Sequence, residues 1–183
     1  MLCAAFAVAC AAPGNRVVGG VLGSGSVPDA MIPTVRSAIS GDAVVVDVNG
    51  NRTERRVVLL SNEPGLCAML GAHPDLFESA PQGFVILALL FPRGSVGSIA
   101  VGPEGSEVDL FVSASAGSPI DVYLADSGST SLDGLDGGAA LALTGSFDVE
   151  ITSSATTQVE VYGQFATEEC AAIASAFIPR LPN

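Results

Sequence analysis

The sequence predicts a mainly β domain, an antiparallel β-sandwich or barrel-like fold with one or two short helices. Three observations lead there. Apolar segments of strand length recur through the chain, each bounded by Gly, Pro, Ser or Asn. One of them, Phe84 to Phe91 (FVILALLF), is an unbroken apolar run, as in a strand buried on both faces. It is far shorter than the ~20 residues of a membrane-spanning helix. Helical patterning is confined to two short pieces.

In chain order, Met1 to Ala9 (MLCAAFAVA) comes first, apolar, rich in small residues and ending in Ala7-Val8-Ala9-Cys10. A short apolar run closing on small residues looks like the end of a secretory signal. Small residues directly before a Cys also resemble the lipobox of bacterial lipoproteins, in which that Cys is acylated and becomes the mature N-terminus. No basic segment precedes the run, and Ala7 stands where the lipobox usually has Leu. Residues 1–9 are therefore read as a signal remnant whose true start lies upstream. Residues 10–30 read as a lipidated Cys10 and a flexible Gly/Ser/Pro tether. A first strand around Val17–Val18 and Val21–Leu22 is the competing reading.

The β-rich domain is expected over 31–183. Ala43–Val48 and Arg55–Leu60 flank Asn49-Gly50-Asn51, a hairpin-turn signal. Strands are then expected at Phe84–Phe91, Ser98–Val101, Val108–Ser113, Ile120–Ala125, Leu141–Ile151 and Gln158–Phe165. Pro64–Gly71 and Cys170–Phe177 are the two helical pieces. Thr144-Gly145-Ser146-Phe147 is echoed by Tyr162-Gly163-Gln164-Phe165. A Gly two places before a Phe in each strand predicts close backbone approach with an aromatic packed over it.

Composition excludes several function classes. Hydrophobic residues make up 49% of the 183, ample apolar surface for one ordered core. Nineteen acidic residues face seven basic ones, all Arg, giving a net charge of −12. That charge repels phosphate backbones and anionic headgroups, so nucleic acid is not an expected partner. The acidity is read as keeping an apolar-rich domain soluble.

Cysteine usage points to the same compartment. Cys3 would leave with the signal and Cys10 would be acylated. Cys67 and Cys170 then remain as a disulfide in an oxidising compartment. Two Cys with no CxxC and a single His73 do not make a zinc set.

The run LLSNEPGLCAML, then LTGSFDVEI, then VYGQFATEEC, over roughly residues 40–172, resembles uncharacterised exported lipoproteins common in myxobacteria and related bacteria. The resemblance implies a surface or periplasmic β domain with a Cys67–Cys170 disulfide, and no activity.

Three candidate sites follow. Leu124-Ala125-Asp126-Ser127-Gly128-Ser129-Thr130 resembles the catalytic loop of aspartic proteases, where an Asp shares a proton with a second carboxylate to activate water. Asp126, Asp133 and Asp136 are read in one Gly-rich loop, with the hard oxygen ligands that a structural calcium takes. Asp47-x-Asn49-Gly50-Asn51 has a similar flavour, although neither segment fits an EF-hand loop. His73 lies in AHPD, read as a solvated loop, and there is no Gly-x-Ser-x-Gly elbow. Asn51-Arg52-Thr53 matches a glycosylation sequon.

The expectation is thus a non-enzymatic envelope lipoprotein, outer-membrane-anchored or periplasmic, with a protein or glycan partner. The alternative is an exported aspartic-protease-like hydrolase using Asp126.

Overall fold

A computed structural model describes residues 15–22, 34–46, 50–77, 80–113, 120–133, 143–154, 157–176 and 178. Ten strands run through them: β1 (Arg16–Leu22), β2 (Ser37–Val46), β3 (Arg52–Ser61), β4 (Val85–Pro92), β5 (Gly97–Ala100), β6 (Glu107–Val112), β7 (Asp121–Leu132), β8 (Thr144–Ser154), β9 (Thr157–Ala166) and β10 (Glu168–Glu169). Helix α1 (Leu66–Ala72) and a 3₁₀ helix (Ala171–Ser175) complete the set.

The strands form one sheet in the order β1-β9-β8-β7-β6-β4-β3-β2-β10, with β5 also on β7. All pairings are antiparallel except that of β10 with β2. The sheet curls into a half-barrel, as the expected sandwich-or-barrel architecture required. Its two halves meet over a shared core. Leu87, Leu89, Val108 and Leu110 from one half pack with Phe147, Val149, Val161 and Phe165 from the other.

Strand β7 joins the halves. Its first residues, Asp121 to Leu124, pair with β6, and the remainder pairs with β5 and β8. The register to β8 slips between Ala125 and Ser127, leaving Asp126 as the extra residue of a bulge. Such a bulge bends a strand and raises its twist. Gly128 sits just beyond, at φ +119°, where an added Cβ would lie 2.3 Å from the Asp148 carbonyl oxygen. Only Gly fits both demands.

A second core lies on the outer face of β2–β6. Along β4, Leu87, Leu89 and Phe91 face the inner core, while Ile86, Ala88 and Leu90 face the outer one. That two-sided burial explains the unbroken apolar run. Leu66 and Leu70 of α1, Phe77, Phe84 and Ile173 cover the outer core. Phe77 meets Phe111 edge to face, with centroids 4.9 Å apart. The Cys67–Cys170 disulfide pins α1 to the segment entering the 3₁₀ helix, with Cα atoms 5.7 Å apart.

Other expectations fare as follows. The β2–β3 hairpin forms with Val46 opposite Arg52; its turn residues 47–49 lie outside the described residues. The Gly-x-Phe echo is a reciprocal pair, Gly145 opposite Phe165 and Phe147 opposite Gly163.

Two readings need correction. Part of the expected 10–30 tether, Arg16–Leu22, is a strand running antiparallel to β9, so the domain begins before residue 31. The competing first strand around Val17–Val18 and Val21–Leu22 is the one that forms, with its hydrogen bonds supplied by a distant edge. The expected Ile120–Ala125 strand continues to Leu132, because the bulge breaks the alternation and makes Asp-Ser-Gly look like a turn. The second expected helical piece forms as the 3₁₀ helix.

Candidate functional site

Of the residues singled out by sequence, Cys67 and Cys170 are brought together as the disulfide. Cys10 and Asp136 lie outside the described residues. Asp126 and Asp133 do not share a loop, which corrects that placement. Asp126 is the exposed bulge residue within β7, and Asp133 directly follows the strand, donating its backbone N–H to the Thr144 carbonyl. Seven residues of mostly extended chain separate them, on the order of 20 Å. No three His, Cys, Asp or Glu side chains among the described residues cluster as a metal site. His73 is exposed at the C-terminal end of α1, where its backbone N–H bonds the Met69 carbonyl.

Around Asp126, the outer face of β7–β9 carries small polar and acidic groups. Ser127 donates to a Glu150 carboxylate oxygen at 3.0 Å, and Asp148 and Tyr162 stand opposite one another on β8 and β9. The strand alternation places them outward while Val149 and Val161 point into the core. Tyr162 is 43% exposed. Asp126 therefore sits on open strand surface rather than in the buried, hydrogen-bonded cradle that an aspartic dyad uses. On the inner face, burial and the nearby Asp121 charge push the Tyr123 phenol pKa up.

Two groupings escaped sequence reasoning. The first is a buried ion pair, Arg55 Nη2 to Glu107 Oε1 at 2.9 Å, with Arg55 Nη1 also donating to the Gly105 carbonyl. The pair joins β3 to the start of β6, 52 residues apart, and nothing local in either strand announces it.

The second is a groove of about 320 Å³ at the open seam of the half-barrel, where β9 ends and β2 begins. Asn15, Arg36, Ser37, Cys67 and Glu168 line it together with apolar neighbours. Its walls are held in several ways. The Arg36 N–H bonds the Ser61 carbonyl at 2.8 Å, and β10 pairs in parallel with β2 at Ile39 and Ser40. Beneath the seam the buried Ser40 and Thr167 hydroxyls are 2.6 Å apart, and Thr167 Oγ1 accepts the Leu143 N–H at 2.8 Å. The disulfide fixes the α1 side. Ser37 Oγ accepts the Leu66 N–H at 3.3 Å, and Asn15 Oδ1 accepts the Ala166 N–H at 2.6 Å.

Arg55, Arg56 and Arg93 are ion-paired, to Glu107, Asp42 and Glu54 respectively. Arg36, like Arg52, is exposed and forms no ion pair among the described residues, and Glu168 is exposed on the other wall. Chemically, the arrangement offers charge-assisted hydrogen bonds of both signs within a fixed frame. No protein-family profile matches the chain, and neither a curated protein nor a solved structure matches it.

Proposed function

We propose that the chain is an exported envelope protein, lipid-anchored through Cys10, whose half-barrel is a non-enzymatic binding scaffold. The observation that carries this reading is the Cys67–Cys170 disulfide, which closes 103 residues of sequence. Such bonds persist in oxidising compartments and are rare where glutathione keeps thiols reduced. The Ala7-Val8-Ala9-Cys10 segment supports the anchor. With β1 beginning at Arg16, five residues separate the acylated Cys from the first strand. That reach is at most about 20 Å, so the domain would stand close to the bilayer surface. Its net charge of −12 would hold it off anionic headgroups. One acyl chain gives only marginal attachment, so the two or three chains of a mature lipoprotein are part of the proposal. The exposed strand position of Asp126 lends no support to the hydrolase alternative, and calcium at Asp126, Asp133 and Asp136 gains none from Asp126 lying within β7 while Asp133 follows its end.

Fractionation tests the anchor. In cells making the protein, we expect it in the membrane fraction, and Cys10→Ala should move it to the soluble periplasmic fraction. Wild-type protein that is soluble without detergent would contradict the reading.

A further inference from the structure

We propose that the seam groove binds a small zwitterion, a free amino acid or dipeptide, with its carboxylate on Arg36 and its ammonium on Glu168. Two observations converge on this ligand. The groove, at about 320 Å³, lies at the lower end of the ~300–1,000 Å³ range of small-molecule sites, which sets the ligand's size. Its two charged side chains lie on different elements, Arg36 just before β2 and Glu168 in β10, and they do not close on each other as an ion pair.

The neutral groups sharpen the choice. Asn15 and Ser37 each spend an oxygen on a backbone N–H, which leaves the Asn15 amide N–H groups and the Ser37 hydroxyl proton as donors. Those donors reinforce Arg36 toward a carboxylate, and a carboxylate is the group to which charge-assisted bonds add most. The frame is pre-organised, since the disulfide, the β10–β2 pairing and the Ser40–Thr167 bond hold the walls whether or not a ligand is present. Both charges are exposed, so screening keeps the affinity low, in the millimolar range, and sensitive to salt.

This inference rests on the reading of the half-barrel as a binding scaffold, but it does not depend on the Cys10 anchor, which fractionation tests separately. Amide spectra of the full chain titrated with alanyl-alanine provide the test. We expect saturable shifts at Ser37, Ile39, Leu66 and Glu168, and roughly tenfold weaker binding for the N-acetylated or C-amidated peptide. Arg36→Gln should erase the preference for the free carboxylate, and Glu168→Gln the preference for the free ammonium. Both positions are exposed, and an otherwise unchanged spectrum verifies that each variant is folded. No saturable shift at tens of millimolar would overturn the proposal, as would a doubly capped peptide binding as well as the zwitterion.

Discussion

Cys67→Ser combined with Cys170→Ser should lower the unfolding free energy by about 4 kcal/mol, a fall in Tm of roughly 10 °C. The link closes 103 residues, and in the chain-entropy description a loop of that length restricts the unfolded ensemble strongly. The native state also loses a tie. Cys67 is in α1 and Cys170 leads into the 3₁₀ helix, and both elements cover the outer core through Leu66, Leu70 and Ile173. Urea titration of oxidised and double-serine protein reads the difference directly. Hydrogen exchange should show the added opening in α1 and residues 171–175 before it reaches β4 and β6. A loss under about 1 kcal/mol would mean that the unfolded chain is already compact around this loop.

Phe165→Ala should cost about 3–5 kcal/mol, since the ring is fully buried in the inner core and fills the space left by a cross-strand Gly. Gly145→Ala should be destabilising for a different reason. Its Cβ would stand 2.1 Å from the Ser131 carbonyl oxygen, which is backbone of β7, and 2.6 Å from Cζ of Phe165. Removing the ring relieves only the second clash. The double variant should therefore be less destabilised than the two single costs combined, by an interaction energy within the ~0.5–3 kcal/mol of contacting residues. Strict additivity in urea denaturation would show that the ring does not rest on Gly145.

Both predictions involve features already legible in the sequence, and the reason is physical. The Gly-x-Phe echo lies within consecutive strands whose register a hairpin determines, so neighbouring residues carry the information. The β2–β3 hairpin and the two-sided β4 are legible on the same ground, from a turn and an apolar run. The disulfide followed from cysteine number and compartment, without geometry.

What stayed hidden depends on distant partners. Strand β1 exists through the edge of β9, over 130 residues away, and its own Val-Val-Gly-Gly-Val-Leu reads equally as spacer or strand. The length of β7 was masked by its bulge, which moved Asp126 from an imagined loop onto an exposed strand. Arg55 and Glu107 look like ordinary strand charges until β4 brings β3 and β6 to its two sides and the Gly105 carbonyl accepts from Arg55. The seam groove is assembled from Asn15, the start of β2, α1 and β10, four stretches spread over most of the chain. No window of sequence contains it.

We propose above an exported lipoprotein domain closed by the Cys67–Cys170 disulfide. Intact mass of protein purified from its native membranes, before and after reduction and thiol alkylation, tests it most directly. The predicted result is a chain beginning at an acylated Cys10, with no alkylatable thiol until reduction and two thereafter, Cys67 and Cys170. A chain that retains the residues before Cys10, carries no acyl group and alkylates without reduction would contradict it.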